Sequence, residues 1–268
     1  MSSIQETLEI LRCPICGCGL EFAVNILRCT NCNRTYRVRE GIIDLLPEEL
    51  VFGSDYKWMN FYDRSASSYF KLFHRIIPVF TFGAEGRASR RWVELLELKR
   101  GDTVLDVATG TGKNISYLIN KVGSEGMIYG IDISLGMLVY AAKISRKRKN
   151  IVLIRANASH LPFRDNCFDA VLHVGGINTF EEKELAIKEM FRVAKSGAKI
   201  VVVDEGLNPK MRNTLRGRIL LRSNALYASM PPIVEFKKLA SEVRVEWGLI
   251  PNKLLPMWPY YLLVSRKP

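Results

Sequence analysis

Between residues 103 and 205 short β-branched runs alternate with helical stretches, and few folds accommodate that rhythm. TVLDVA (103–108), MIYGID (127–132), IVLIRA (151–156), FDAVLHV (168–174) and AKIVVVDE (198–205) are near-continuous apolar runs, the pattern of strands covered on both faces. Helical patterns over Asn114–Lys121, Leu135–Arg148 and Glu181–Ala194 lie between them. After Gly206 the rhythm breaks, a helix is expected near Ile233–Ala240, and VRVEW and YYLLVSR read as a closing antiparallel pair. The expected fold class is α/β: a doubly wound, Rossmann-like, mostly parallel seven-stranded sheet with its ligand at the carboxyl ends of the strands.

Ahead of this pattern Cys13, Cys16, Cys29 and Cys32 form Cys-x2-Cys-x12-Cys-x2-Cys, the spacing of two knuckles around a tetrahedral Zn2+. Four thiolates would close the coordination sphere, so the metal is expected to be structural. Cys18 reads as a spare or substitute ligand, and Cys167 as a small buried side chain. No apolar leader follows Met1 and no run of eighteen apolar residues occurs, so a cytoplasmic, reducing setting is expected, where paired cysteines favour metal over disulfide. The expected organisation is a zinc-ribbon module at 1–48 and a catalytic domain at 49–268. The latter has a helical entry at 49–100 and a substrate-cover insertion at 206–231.

The net charge of +12 is unevenly spread. Residues 1–46 hold five Arg and five acids, which counts against phosphate contact by the ribbon. Lys143–Lys149 carries five positive charges and Pro209–Arg222 another five, neither with an acid. The first reads as a solvated helix face. The second interleaves Leu215, Ile219 and Leu220 with Arg216, Arg218 and Arg222. It suits peripheral membrane contact through 209–222, a cover over a lipophilic acceptor, RNA phosphates, or packing on the sheet with snorkelling arginines.

The first strand runs into DVATGTGK, where small residues let a ligand approach the following helix's N-terminus. The next strand ends in Asp132, placed to accept from ribose hydroxyls. By themselves these features suit NAD equally well.

VLDVATGTG, GIDISLGML, ANASHLPFRDNCFDAV and EMFRVAKSGAKIVVVDE, in this order, closely resemble the class I S-adenosylmethionine (SAM)-dependent methyltransferases over about residues 60–205. The resemblance displaces NAD and implies that Asp106, Ala108, Thr109, Gly110 and Gly112 hold the methionine part of SAM. By the same pattern Asp132 binds the ribose, Ile133 lies on the adenine, and Asn157 and Ala158 meet its edge. Asn157 stands where the family usually has Asp, and Ser196 where it usually has Pro. FYDRSASSYF and DISLGML are similar to the quinone-biosynthesis C-methyltransferases, whereas Lys113 and HVGGINTF depart from their acidic residue and Arg-Asn pair. Tyr62 and Tyr69 match the lid position of those relatives. The rRNA guanine methyltransferases also begin with a Cys-x-x-Cys module, but their segment after the fourth strand is not matched here. CTNCNRTYRVREGIIDLL resembles the zinc ribbon of the small activator protein of tRNA methyltransferases, which implies a docking or stabilising role and a protein partner.

On the acceptor side, the end of the fourth strand makes His173 and Asn178 the leading catalytic candidates, ahead of His160 and His74. The reading is a SAM-dependent methyltransferase acting on a small, lipophilic or aromatic acceptor. Its alternatives are an RNA base methyltransferase and a non-catalytic SAM-binding partner protein.

Overall fold

The structure is a computed structural model that describes residues 2–146, 148–251 and 258–268; Lys147 of the first basic run lies outside them. The apolar runs form the expected strands, and the sheet extends further than expected. In chain order the strands are β1 Leu20–Ala23, β2 Ile26–Cys29, β3 Thr35–Arg39, β4 Ile42–Asp44, β5 Thr103–Val107, β6 Met127–Asp132, β7 Ile151–Arg155, β8 Phe168–Val174, β9 Ala194–Glu205, β10 Glu242–Ile250 and β11 Trp258–Arg266. They make one sheet of eleven strands in the order β1-β2-β3-β4-β7-β6-β5-β8-β9-β11-β10. Seven belong to the α/β unit and four to the cysteine-bearing segment, so the ribbon continues the sheet instead of standing apart from it.

The joint is a parallel pairing of β4 with β7, Ile42 opposite Leu153 and Ile43 opposite Ile154. Asp44 at its end ion-pairs with Arg155 at 3.3 Å. Leu11, Leu27, Tyr36 and Leu45 of the ribbon share one apolar cluster with Ile154, Leu161, Phe163 and Phe168. At roughly 25 cal/mol per Å2 of apolar surface removed from water, a continuous core of this kind holds the two parts against each other without a disulfide between them.

Within the α/β unit β5–β9 are parallel, and β11 runs antiparallel between β9 and β10. Strand order reverses at β5, which has β6 on one side and β8 on the other. The reversal splays the two following loops apart and opens a crevice at the strands' carboxyl ends. A long helix, Gly53–Lys71, with a π-helical turn at Leu72–Ile76, lies over that crevice. Its apolar positions Trp58, Tyr62, Tyr69 and Phe73 recur at near-helical spacing and form a ladder of ring contacts that ends on Trp258. The basic insertion folds into short helices, Pro209–Arg212 and Leu215–Ser223, packed on the sheet through Leu207, Leu220 and Tyr227.

Candidate active site

The turn after β5 is built so that backbone can approach a ligand. Ala108 and Gly110 both have left-handed backbone, φ +56 each, a conformation costly for most side chains. Gly112 has φ +78, and a Cβ there would lie 3.1 Å from Ala141 of the helix Leu135–Ser145, so the turn and that helix pack at glycine distance. The turn is fixed from the next strand: the Asp132 carboxylate accepts from Gly110 N at 2.8 Å and from Ser134 N at 2.8 Å. Two of its four acceptor sites remain. Asp106 is fully buried beneath the turn and accepts from Thr109 Oγ1 at 2.6 Å.

Ala108, Gly110, Asp132, Ile133, Asn157 and Ala158 line one cleft of about 940 Å3, together with Trp58, Tyr62 and Tyr69 of the lid helix. Thr109 lines an adjoining cleft instead, while Asp106 and Gly112 support the turn from behind. The adjoining cleft, about 1120 Å3, is walled by Tyr69, Phe73, Trp92, Tyr227, Trp258 and Tyr260. The two share Tyr69, Ala108, Gly110, Val174, Gly175 and Glu205 as a common wall.

The lid is latched at several points that local sequence patterns do not show. Asp55 accepts from Asn157 Nδ2 at 3.0 Å and Glu181 N at 3.1 Å. Asn157 Nδ2 also donates to Leu50 O, and its Oδ1 accepts from Ser159 N. The amide's donors are thus spent on the lid, which gives the Asp-to-Asn departure a physical reason: a carboxylate at 157 would face the buried Asp55. Asp63 accepts from Ser134 Oγ at 2.6 Å and Gly136 N at 2.8 Å, where a helix N-terminus favours negative charge. His74 shares a 2.9 Å hydrogen bond with Thr111 of the glycine turn.

His173 and Asn178 line neither cleft. The His173 ring is fully buried, its Nδ1 donating to Val107 O and its Nε2 accepting from Ile177 N, both at 3.0 Å. Both ring nitrogens are committed to backbone, and burial pushes the ring's pKa down to about 4, so it stays neutral. Asn178 Nδ2 donates to Glu205 O, and its Oδ1 accepts from Tyr261 OH. The group that shapes this loop is Asp204, which accepts from Gly176 N and Asn178 N and is raised well above the carboxylate range by burial and by Glu205. Asp204 and Glu205 were open to detection as acids at a strand's carboxyl end. Asp55 and Asp63 act over distances that leave no local signal. His160 bonds Glu182 at 3.2 Å, away from both clefts.

In the ribbon, the sulfurs of Cys13, Cys16, Cys29 and Cys32 all lie within 4.8 Å of one another. Contacts of 3.7 Å (Cys13–Cys32) and 3.4 Å (Cys16–Cys29) approach the ~3.8 Å edge of a tetrahedron with 2.3 Å metal–sulfur bonds. Cys18 lies outside this group, its thiol directed to Cys16 O. Tyr36 OH meets Cys13 Sγ at 3.1 Å, and Asn31 N donates to Cys29 Sγ.

A doubly wound sheet closed by an antiparallel hairpin, with a glycine turn tied to a strand-end acid, is the Rossmann-like methyltransferase architecture. The chain belongs to the ubiE/COQ5 methyltransferase family, whose model matches residues 66–214. A Trm112p-like protein model matches residues 5–41. Among relatives, the ubiquinone/menaquinone biosynthesis C-methyltransferase UbiE of Xylella fastidiosa is 35% identical over 133 residues, 47% of this chain and 51% of that protein. The demethylmenaquinone methyltransferase of Bacillus licheniformis is 33% identical over 135 residues, 50% of this chain and 58% of that protein. The chain thus spans about half the length of the curated relatives it matches. A solved chain from the complex of the Haloferax volcanii Trm112 methyltransferase activator shares the fold, with TM-score 0.55 at 15% identity, covering 77% of this chain and 97% of that one.

The acids beneath the turn make stability depend on pH. Burial pushes Asp106 up to about 7 and Asp132 to about 6, whereas an unfolded Asp ionises near 3.9. Between those values the folded chain holds protons that the unfolded chain releases, so their contribution is present at and below about pH 4 and is lost as pH rises towards 7. Asp106→Asn is expected to flatten that fall, read as urea midpoints from pH 4 to 7; parallel curves for the two proteins would refute this.

Proposed function

We propose that the chain is a SAM-dependent methyltransferase acting on a small, lipophilic or aromatic acceptor. The observation that carries the reading is the pair of clefts sharing one wall: one beside Asp132, and a second beyond Tyr69 and Gly175 ringed by Phe73, Trp92, Tyr227, Trp258 and Tyr260. SAM supplies an activated methyl on its sulfonium, so the protein's task is alignment and exclusion of water. In this reading the spare acceptor sites of Asp132 take the ribose hydroxyls. Ala108 and Gly110 let the methionine end lie against backbone, and the latched lid covers both. Ile133, Asn157 and Ala158 form the adenine side, with the Asn157 amide serving mainly to hold the lid. Asp106, Thr109 and Gly112 support the turn. His173 and Asn178 maintain the loop at 175–178. Asp132→Ala is expected to weaken SAM binding at least about tenfold in calorimetry, from loss of charge-assisted hydrogen bonds. Unchanged affinity would remove the cofactor assignment.

The cysteine cluster is proposed to hold one structural Zn2+ in residues 1–48, with 49–268 as the catalytic unit. Because the ribbon shares the core of the sheet, Cys29→Ser is expected to lose the metal and lower the melting temperature of the whole chain. Full zinc occupancy in that variant would exclude Cys29 as a ligand.

A cytoplasmic enzyme touching an anionic membrane surface fits the surface pattern. Among the described residues seventeen large apolar side chains are exposed. Five fall in 72–82 and four in 215–234, parts of two acid-free basic segments, 64–84 and 206–234. Phe73 of the first stacks on Trp258, which packs with Leu220 and Tyr227 of the second, so both border the aromatic cleft. No helix among the described residues is long and apolar enough to cross a membrane. Leu215→Glu with Ile219→Glu is expected to abolish sedimentation with phosphatidylglycerol vesicles. Unchanged sedimentation would refute the contact, and steeply salt-dependent binding of RNA in place of vesicles would favour an RNA base methyltransferase.

A further inference from the structure

One guanidinium joins the three parts of the chain that meet beside Asp132. Arg155, the last residue of β7, stands in register between Asp44 of β4 and Asp132 of β6. Its side chain is 20% exposed, and its three nitrogens point to three different elements. Nη1 donates to Asp44 Oδ2 of the ribbon at 3.3 Å, Nη2 to Met59 Sδ of the lid helix at 3.4 Å, and Nε to Ile133 O at 3.1 Å. Asp44 is itself fixed, its Oδ1 accepting from Leu46 N, while Leu45 N donates to Arg155 O. The ribbon thus supplies a carboxylate with a set position, and that charge holds a long side chain that would otherwise be free to turn.

The Ile133 carbonyl matters because of what shares its peptide plane. A trans peptide carries its C=O and N–H at opposite edges of one rigid plane. The N–H opposite Ile133 O is that of Ser134, which donates to Asp132 Oδ1 at 2.8 Å. Arg155 therefore grips one edge of this peptide and Asp132 the other. A cation on the carbonyl polarises the group and strengthens the N–H that the carboxylate receives. Ser134 continues the chain of contacts, its Oγ accepting from Met137 N to cap the helix Leu135–Ser145 and donating to Asp63 of the lid. Ile133 and Asp132 both line the cofactor cleft. The planar fork of an arginine can serve three directions at once, where the single ammonium of a lysine cannot keep all three.

We propose that Arg155 is a positioning residue for the cofactor and that Asp44 makes the ribbon a working part of the cofactor site. The ribbon carboxylate holds the guanidinium, and the guanidinium holds the peptide that sets Ile133 and Asp132. The inference rests on the cleft beside Asp132 being the SAM site. It gives the β4–β7 seam a role in binding as well as in stability.

The test is calorimetry on the whole chain with two probes, S-adenosylhomocysteine and 5′-methylthioadenosine, which keeps the adenine and ribose without the amino-acid end. Arg155→Met is expected to weaken both about tenfold. Asp44→Asn is expected to weaken both about threefold, and to add nothing in the Arg155→Met background, because it acts only through the guanidinium. Arg155→Lys is expected to fall between Arg155→Met and the unaltered protein. Arg34→Gln removes a different ion pair of the ribbon, with Glu49, and is expected to leave both affinities unchanged. Full affinity in Asp44→Asn or Arg155→Met would overturn the proposal. So would losses that add in the double variant, or an equal loss in Arg34→Gln, which would mean general loosening of the ribbon. If Arg155→Met lacks native circular dichroism, Arg155→Lys takes its place, and full affinity there overturns the proposal equally. Failure of the unaltered protein to bind S-adenosylhomocysteine is a separate result, and it would overturn the methyltransferase reading itself.

Discussion

The Asp132 carboxylate spans the gap between two strands, taking the Gly110 amide from the turn after β5 and the Ser134 amide at the end of its own. The Gly110 bond ties the end of β5 to that of β6, its neighbour on one side of the point where strand order reverses. The glycine turn contains left-handed residues at 108, 110 and 112, and such a segment has little intrinsic preference for one shape. An anion held in a site largely removed from water, with its charge on two backbone donors, supplies that preference. The cofactor cleft, the wall it shares with the aromatic cleft, and the seat of Asp63 beside Ser134 are all referred to this one side chain.

The lid follows the same logic with different chemistry. A helix rich in aromatic rings could cover the crevice through apolar burial alone, but burial is non-directional and would tolerate sliding. Asp55 against Asn157 and Asp63 against Gly136 N set the register of Gly53–Lys71 on the sheet. The π-helical turn then redirects the chain so that His74 reaches Thr111. Insertions of this kind place one extra residue in a turn and often sit beside functional sites. Here it lets one element close over both clefts.

Much of this was legible in the sequence. Five continuous apolar runs can hardly be other than a covered parallel sheet, and the four cysteines had the spacing of a shared metal. Asp132 was visible because it ends a strand whose predecessor runs into a glycine turn. The failures have a common cause. LHVGG shows a histidine near a strand end, but not that Gly176 turns the chain so that the Ile177 amide comes back onto its ring. Lys113 was recognisable as a departure from its family, whereas its partner Glu85 lies twenty-eight residues earlier, on the helix Ala84–Glu94. Side-chain pairings across such distances depend on packing, which period and composition do not encode. The continuity of the sheet into the ribbon was hidden likewise, because β4 is three residues long and its partner lies more than a hundred residues away.

That short strand has a consequence for assembly. In the α/β unit β7 is an outermost strand, and an unpaired parallel edge is a template to which any extended segment can add. Here β4 occupies it from within the same chain, at an effective concentration that a freely diffusing competitor rarely matches. A separate ribbon-type protein therefore finds this edge already taken. What the ribbon offers outward is the β1–β2 hairpin, with Phe22, Val24 and Ile26 exposed. Pairing within the chain makes this edge an internal seam and moves the free edge of the sheet outward to β1.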